Sequence, residues 1–472
     1  MLKKKKSQDL TPNQRLNVEK TKRQFFGTDG IRGRANQGKL TPAALVKIAQ
    51  AAALVCRQKG SMQPTVVIGK DTRLSSYMVE SALASGFLSA GMRVTYLGPV
   101  PTPAVSMFIR SLRADLGVMI SASHNPPEDN GLKFFNSDGF KLCDAKELEI
   151  ETLYQQSLDD HLVDAPALAK AKRLQDAQGR YVEYAKNTFP RGQRLEGFKI
   201  VLDCANGATY KIAPQVLWEL GAEIIPIGVD PDGMNINVNC GATATETLQA
   251  RVLEEQADIG IALDGDGDRV IIVDEMGQTI NGDAILGRIA TYWQEMGKLA
   301  KPTVVATVMS NLGLERYLQK AGIQLERTNV GDRYVLETMR KKGYNLGGEQ
   351  SGHIVLSDYA TTGDGIISAL QFLAIMCRKK QPASVVGHPF TAIPQILTNI
   401  RVRDAAALLS SAPFQDALKL EEKNLGDQGR ILVRKSGTEP LIRIMVEGDN
   451  RDMISDIGQR LAHVIENQES KP

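Results

Sequence analysis

The chain has 472 residues, of which 42% are hydrophobic and 24% charged, which is enough for about two to four globular domains. Residues 1–23 hold eight basic and two acidic side chains, so the remaining chain is close to neutral, which argues against a basic nucleic-acid-binding face. The sequence has no apolar run of the ~18 residues that a membrane helix needs. No apolar segment follows the basic residues Met1–Lys6, as it would in a secretory signal. The five cysteines lack the spacing of metal ligands. We therefore expect a cytoplasmic protein with reduced thiols.

Helices and strands alternate along the first part of the chain. Thr41-Pro42 is a typical helix start, and apolar residues follow it at helical spacing as far as Gly60. Short apolar runs and helical patterns then alternate: strands are predicted at Thr65–Ile68, Val94–Leu97 and Leu116–Ile120, and helices at Ser75–Ala90 and Pro103–Leu112. This alternation predicts an α/β fold with a layered sheet.

Two further segments show the same alternation. The second has predicted strands Lys199–Leu202, Glu223–Ile227 and Ile259–Leu263, with helices Ala213–Leu220 and Glu246–Gln256. The third begins with a helix near Asp283 and continues with strands Thr303–Val308 and Gln324–Arg327 and helices Leu312–Lys320 and Tyr334–Lys342. From about Phe390 the alternation stops. The fold class is therefore predicted as three similar α/β domains followed by a smaller α+β domain.

A serine-rich loop follows the strand predicted at Leu116–Ile120. Its sequence is Met119-Ile-Ser-Ala-Ser-His-Asn-Pro-Pro127, so Ser121 and Ser123 lie at the carboxyl end of the strand, where α/β sheets bind ligands. Ser123 is a candidate nucleophile, although a serine-rich turn without function fits the same segment. We do not expect the adjacent His124 to hydrogen-bond Ser123 in the geometry of a protease triad.

Three aspartates alternate with glycine in Leu263-Asp-Gly-Asp-Gly-Asp-Arg269. Asp264, Asp266 and Asp268 can turn their carboxylates onto one hard cation, Mg²⁺ or Ca²⁺. An EF-hand is disfavoured because Arg269 stands where that loop needs glycine. A phosphatase with an aspartate nucleophile and an acidic turn without metal are the open alternatives.

Two later loops also combine polar residues with glycine. In Gly347-Gly-Glu-Gln-Ser-Gly-His353, alternating Glu349, Ser351 and His353 can face one way, suited to hydroxyl binding and proton transfer. In Arg434-Lys-Ser-Gly-Thr-Glu-Pro-Leu-Ile-Arg443, cationic and hydroxyl side chains form a possible phosphate cradle without P-loop spacing. A hairpin turn and a basic surface turn are the alternative interpretations.

Taken together, these segments resemble the α-D-phosphohexomutases from about Phe25 to the C-terminus. The segments Phe26-Gly-Thr-Asp-Gly-Ile-Arg-Gly33, Ile120–Pro126, Asp264–Arg269, Gly348–His353 and Arg434–Pro440 occur in the family's order. The resemblance implies four domains around a cleft, each giving one loop. We place them at 25–175, 176–278, 279–389 and 390–472, after a basic, disordered extension at 1–24.

The resemblance also assigns roles to individual residues. It implies that Ser123 is phosphorylated and that a phosphate oxygen on it completes a Mg²⁺ site of Asp264, Asp266 and Asp268. Catalytic roles fall on Lys133 and His353 as acid/base groups, on Arg269 as holder of the phosphate, and on Arg32. The substrate-binding residues that it implies are Glu349, Ser351, Asp332, Arg333, Arg434, Ser436, Gly437, Thr438 and Arg443.

The implied activity is interconversion of glucosamine 6-phosphate and glucosamine 1-phosphate through a 1,6-bisphosphate, with a hexosamine or glucose 1,6-bisphosphate as activator. It would supply UDP-N-acetylglucosamine synthesis. A phosphoglucomutase or phosphomannomutase, a metal-dependent sugar phosphatase and a sugar-phosphate sensor are the alternatives. We expect a sugar phosphate as the only partner, no nucleic acid or membrane, and a monomer or homodimer.

Overall fold

A computed structural model describes residues 24–27, 29–57, 64–435 and 440–469. The predicted extension at 1–24 thus lies almost wholly outside the described residues, as does the predicted helix end at Gly60. In the described part of the chain, no helix combines the length and apolarity needed to cross a membrane.

Six strands form the first sheet: β1 (Ile31–Arg34), β2 (Thr65–Lys70), β3 (Arg93–Pro99), β4 (Leu116–Ile120), β5 (Asp129–Asn136) and β6 (Ala171–Arg173). Their order is β1-β5-β4-β2-β3-β6, with β2, β3, β4 and β6 parallel and β5 antiparallel to β4. The helices of this part are α1 (Pro42–Cys56), α2 (Ser75–Ser89), α3 (Thr102–Leu112) and α4 (Asp144–Tyr154). The predicted strands and helices are confirmed here, whereas β1, β5, β6 and α4 had not been predicted.

The second sheet contains β7 (Lys199–Asp203), β8 (Glu223–Ile227), β9 (Ile259–Leu263), β10 (Val270–Asp274) and β11 (Thr279–Ile280). Its order is β11-β10-β9-β7-β8, with β7 parallel to β8 and β9, and β10 antiparallel to β9. The helices are α5 (Ala177–Lys186), α6 (Ile212–Glu219) and α7 (Glu246–Glu255). All five elements predicted for this segment are present.

The third sheet contains β12 (Thr303–Thr307), β13 (Gln324–Thr328), β14 (Leu346–Gly348) and β15 (Ile354–Leu356), in the order β13-β12-β14-β15. Its helices are α8 (Gly282–Glu295), α9 (Leu312–Lys320), α10 (Asp332–Lys342), α11 (Gly365–Lys379) and α12 (Ala383–Gly387). The fourth sheet, β16 (Gln395–Arg401), β17 (Gly429–Lys435) and β18 (Leu441–Gly448), is antiparallel and accompanied by α13 (Ala405–Ser410), α14 (Ala412–Leu425) and α15 (Arg451–Glu469). Three α/β units and a smaller α+β unit are thus confirmed; below, "unit" means one of these four sheets with its helices.

Each of the four candidate loops joins two antiparallel neighbours of its sheet. The pairs are β4 and β5, with Ile120 opposite Leu132; β9 and β10, with Leu263 opposite Val270; β14 and β15, with Gly348 opposite Ile354; and β17 and β18, with Lys435 opposite Ile442. The repeat therefore exists in the backbone although the residues of the loops differ. It explains how unrelated short sequences come to present side chains from equivalent places.

Buried apolar residues join the first three units into one core. A single cluster runs from Val67 through Phe108, Trp293 and Phe372, so it crosses three sheets. The fourth unit has its own cluster around Phe414. Burial of apolar surface at ~25 cal/mol per Å² resists relative movement of the first three units, which fixes the spacing of three loops.

We expect Gly86→Ala to destabilise the protein by about 1–3 kcal/mol, because a methyl group there has no room. A Cβ at Gly86 in α2 would lie 2.3 Å from the carbonyl oxygen of Val46 in α1. The matched control is Gly179→Ala in α5, where a built Cβ would have no atom within 4 Å apart from its chain neighbours and its own helix backbone; it should raise stability by about 0.5–1 kcal/mol. Calorimetric unfolding measures both; equal shifts would contradict the packing argument.

Candidate active site

Ser123 lies in the loop between β4 and β5 with its hydroxyl directed at the aspartate loop. It is 1% exposed and has a backbone φ of 54°, a left-handed conformation that is unfavourable for serine. Its Oγ donates to Oδ2 of Asp264 at 2.6 Å. Its N–H donates to Oγ of Ser121, whose hydroxyl donates to Asp71. The nucleophile predicted from the sequence thus contacts a predicted metal ligand of another unit.

His124 lies beside the Ser123 hydroxyl, although no protease triad was expected between these neighbours and the contact alone does not make one. Nδ1 of His124 lies 3.2 Å from the Ser123 Oγ. The left-handed turn at Ser123 brings the two side chains together. Burial, with the nearby cations of Arg269 and Arg32, lowers the pKa of His124 to about 4. The imidazole is therefore neutral near pH 7.

Asp264, Asp266 and Asp268 offer ligand atoms that all lie within 4.8 Å of one another, and all three are buried. Burial, together with the charges of Asp268 and Asp266, raises the pKa of Asp264 to about 7. Among the described residues, Oδ1 of Asp266 is buried without a hydrogen-bond partner. Oδ1 of Asp268 is likewise without a hydrogen-bond partner among these residues. Three converging carboxylates, two of them with such an oxygen, fit a hard divalent cation.

Lys133, on β5, is 2% exposed and reaches into the aspartate cluster. Its Nζ donates to Oδ2 of Asp266 and of Asp268, both at 2.7 Å. Burial alone would lower the pKa of this amine, but the facing carboxylates outweigh burial and raise it well above its ordinary value. Lys133 is therefore a protonated group held within the aspartate cluster.

His353 lies between two carboxylates. Its Nδ1 is 3.5 Å from Oδ1 of Asp268, and its Nε2 is 3.2 Å from Oδ2 of Asp332. The Gly363 N–H also points at Nε2, at 3.1 Å, which would require that nitrogen to be unprotonated. Burial lowers the pKa, but the two full negative charges outweigh both effects and raise it to about 10.

A closed ring of alternating charges connects the first three units. Lys133 lies 3.5 Å from Asp29, and Lys141 forms ion pairs with both Asp29 and Asp332. His353 lies between Asp332 and Asp268, and Asp268 forms an ion pair with Lys133, which closes the ring. Sequence reasoning missed Asp29 and Lys141. Asp29 lies inside the Phe26–Gly33 motif, which could have pointed to it. Lys141 lies in none of the motifs that the sequence analysis identified.

Arg32 and Arg269 both lie near the serine loop, where their charges act on His124. Arg32 donates to Oδ2 of Asp29 at 2.6 Å and to Oδ1 of Asn125 at 3.2 Å. The backbone N–H of Arg269 donates to Oδ1 of Asp264 at 3.2 Å. Burial opposes the charge of Arg269, but Asp268 and Asp264 raise its pKa above the ordinary value. Both predicted arginines thus remain charged beside Ser123.

The residues predicted to bind the sugar differ in what they contact. Ser351 Oγ donates to Glu349 at 3.3 Å, and the Gly331 N–H donates to the other oxygen of Glu349 at 3.3 Å. Arg333, in contrast, directs its guanidinium to Asp144 and Glu147 of the first unit. A contact between Arg333 and a sugar stays a prediction, since in this structure Arg333 joins α10 to α4.

Arg434 and Arg443 stand directly opposite each other on β17 and β18. Burial and the cation of Arg443 lower the pKa of Arg434. Like charges on opposed residues are unfavourable unless an anion lies between them. Ser436, Gly437 and Thr438, the remaining members of the predicted phosphate cradle, lie outside the described residues.

Family models match each of the four units. They are described as phosphoglucomutase/phosphomannomutase domain I at residues 23–160, domain II at 179–277, domain III at 281–391 and the C-terminal domain at 397–464. The chain therefore belongs to the phosphoglucomutase/phosphomannomutase family of the α-D-phosphohexomutase superfamily.

Relatives within the family include phosphoglucosamine mutases. The chain is 57% identical over 444 residues to phosphoglucosamine mutase of Parvibaculum lavamentivorans, covering 94% of this chain and 99% of that one. It is also 57% identical over 435 residues to that of Rhodopseudomonas palustris, covering 92% and 96%.

Solved structures share the fold. A phosphoglucomutase/phosphomannomutase family protein of Burkholderia thailandensis has a TM-score of 0.79 at 24% identity, covering 94% of this chain and 98% of that chain. The N-acetylphosphoglucosamine mutase of Aspergillus fumigatus, solved with GlcNAc-6P and magnesium, has a TM-score of 0.65 at 18% identity, covering 96% and 98%. At these identities the likeness concerns the fold alone.

We expect Asp266→Asn to weaken binding of a divalent cation by at least about tenfold, since even residues behind a metal's ligands contribute about 10–100-fold. The substitution removes a charge from the cluster and leaves the side-chain shape unchanged. Titration calorimetry with Mg²⁺ and with Ca²⁺ measures the affinity. Asp230→Asn, at an exposed position of the same unit, is the control. Equal affinities in the two variants would contradict a metal site at the cluster.

Proposed function

We propose that the protein interconverts glucosamine 6-phosphate and glucosamine 1-phosphate through a phosphorylated Ser123 and a 1,6-bisphosphate intermediate. The observation that carries the proposal is the 2.6 Å contact between the buried Ser123 hydroxyl and Asp264. It places a nucleophile from one unit at a carboxylate cluster of another, with cations on the remaining sides. The 57% identity to phosphoglucosamine mutases supports the choice of sugar.

In the first transfer, the phosphate on Ser123 passes to the 1-hydroxyl of glucosamine 6-phosphate. The bond between Ser123 Oγ and phosphorus breaks, a bond from the sugar oxygen to phosphorus forms, and the hydroxyl proton leaves to a nearby base. Arg269 and Arg32 neutralise the transferring group, because such reactions depend mainly on positioning and charge. Lys133 and His353 are the groups placed to move the proton; both are protonated, so one of them would first give its proton to the leaving Ser123 oxygen and then take up the hydroxyl proton.

The aspartate cluster is proposed as a Mg²⁺ site. Asp264, Asp266 and Asp268 would hold the ion, with an oxygen of the Ser123 phosphate as a further ligand. The bound ion would supply charge neutralisation at the phosphate. Lys133, which is hydrogen-bonded to Asp266 and Asp268, then shares these carboxylates with the ion.

In the second transfer, the bisphosphate turns over in the cleft and returns its 6-phosphate to Ser123. A bisphosphate that escapes leaves Ser123 unphosphorylated, so a hexose 1,6-bisphosphate acts as activator by restoring the phosphate. Glu349 and Ser351 would hold hydroxyls, with Asp332 and Arg333 beside them. Arg434 and Arg443, with Ser436, Gly437 and Thr438, would hold the phosphate that does not react.

We further propose that the four domains extend over 25–175, 176–278, 279–389 and 390–472, and that the enzyme works in the cytoplasm. Among the described residues the five cysteines form no disulfide, which is compatible with a reducing compartment. The product would enter UDP-N-acetylglucosamine synthesis. A monomer or homodimer without nucleic-acid partners stays a prediction.

We expect kcat/KM for 6-to-1 isomerisation to be at least about tenfold higher with glucosamine 6-phosphate than with glucose or mannose 6-phosphate, since one polar contact is worth about 1.5 kcal/mol. The assay contains Mg²⁺ and a hexose 1,6-bisphosphate. Higher kcat/KM with glucose or mannose 6-phosphate would preserve the mechanism and contradict the assigned sugar.

We expect Ser123→Ala to lower kcat by ~10⁴-fold or more, because it removes the group that carries the phosphate between the two half-reactions. Ser85→Ala, on the exposed face of α2, is the matched control. Product formation and release of inorganic phosphate are followed together. Undiminished mutase turnover in Ser123→Ala would overturn the proposal, and phosphate release as the main reaction would indicate a phosphatase.

A further inference from the structure

The Ser123 backbone needs support that its own sequence does not provide. With φ at 54°, it occupies the left-handed region, which residues other than glycine, asparagine and aspartate adopt at a cost. A strained loop persists only when its surroundings determine it. The contacts of the Ser123 carbonyl therefore show what holds the nucleophile in place.

One support comes from the first unit. Arg73 is fully buried, and its Nη2 donates to the carbonyl oxygens of Ser123 at 3.1 Å and Asn125 at 2.8 Å. Its Nε donates to Asp71 at 2.9 Å, and Asp71 also accepts the Ser121 hydroxyl. This ion pair ties the serine loop to the residues that directly follow β2, within the same unit.

A second support crosses to the unit that carries the aspartate cluster. The Nδ2 of Asn237 donates to the same two carbonyl oxygens, at 2.8 Å to Ser123 and 3.2 Å to Asn125. The backbone N–H of Asn237 donates to Ala205 O at 2.9 Å, which ties it to the loop after β7. One amide thus joins the serine loop to the second unit.

The same amide also lies against the aspartate loop. A Cβ built at Gly265 would come 2.9 Å from Asn237 Nδ2 and 2.6 Å from the Ser123 carbonyl oxygen. Gly265 separates Asp264 from Asp266, so the backbone of the aspartate loop packs directly on the Asn237–Ser123 contact. A shift of the amide would therefore move the serine and the carboxylates relative to each other.

We propose that Asn237 is a positioning residue that ties the Ser123 backbone to the second unit and so sets the distance between the Ser123 hydroxyl and the aspartate cluster. This inference rests on the proposed function, in which Ser123 carries the phosphate. The two hydrogen bonds of the Asn237 side-chain amide go to backbone carbonyls. Its loss should therefore change the transfer step, kcat, and leave sugar binding, reported by KM, nearly unchanged.

The decisive variant is Asn237→Gly. Asn237 itself has a φ of 59°, which glycine adopts freely, so the variant removes the amide without straining the turn. Asn239→Gly is the matched control, because Asn239 lies in the same loop with a φ of 52° and is exposed. A small misplacement of reacting groups costs up to about a hundredfold in rate.

We expect Asn237→Gly to lower kcat by about tenfold to a hundredfold with KM within about twofold, and Asn239→Gly to match the wild type. The phosphorus-31 resonance of phosphorylated Ser123 should also shift in Asn237→Gly alone. A kcat within about twofold of wild type, an equal loss in Asn239→Gly, or a loss confined to KM would overturn the inference.

A second variant covers the case in which Asn237→Gly fails to fold. Asn237→Asp keeps the shape and tolerates the left-handed turn but turns an acceptor toward two carbonyl oxygens, so kcat should fall at least as far. Wild-type kcat in Asn237→Asp would overturn the inference. Failure of the proposed function would give a different result, because the wild type would then lack mutase turnover or Ser123→Ala would retain it.

Discussion

Three buried carboxylates in one turn of backbone are the constraint on which the rest of the site depends. At 4 Å and an effective dielectric constant of 20, each pair repels by about 4 kcal/mol. Lys133 of the first unit, Arg269 of the aspartate loop and His353 of the third unit supply compensating charge. These contacts form only if the first three units keep their relative positions. The repulsion within a single loop is therefore offset by tertiary packing outside that loop.

The repeated backbone explains how the units meet this constraint. Each places its loop between two antiparallel strands, where side chains leave the sheet at the same edge. A shared apolar core then fixes the three loops relative to one another. The fourth unit has a separate core and meets the third through polar contacts, among them those of Asn311 with buried Glu447 and of Arg430 with the carbonyl oxygens of Val308 and Ser310. The fourth unit is therefore attached by polar contacts, whereas the first three share an apolar core.

The residues that sequence reasoning missed share one property, which is that their partners are distant in the chain. Lys141 contacts Asp332, 191 positions away. Asn237 contacts Ser123, 114 positions away. No local periodicity reports such pairs. The contact between His124 and Ser123 is local, but it depends on a left-handed backbone that only the surroundings of the loop stabilise.

By itself, the sequence determined the alternation of helices and strands and the types of side chain that each loop carries. Both follow from short-range rules: apolar periodicity, glycine at tight turns, and Asp264, Asp266 and Asp268 close enough in the chain to converge. Only the tertiary structure decided which charges neutralise which, that Lys141 bridges two units, and that Arg333 turns to α4. Coulomb energies depend on distance in space and on burial, and the fold alone sets both for residues far apart in the chain.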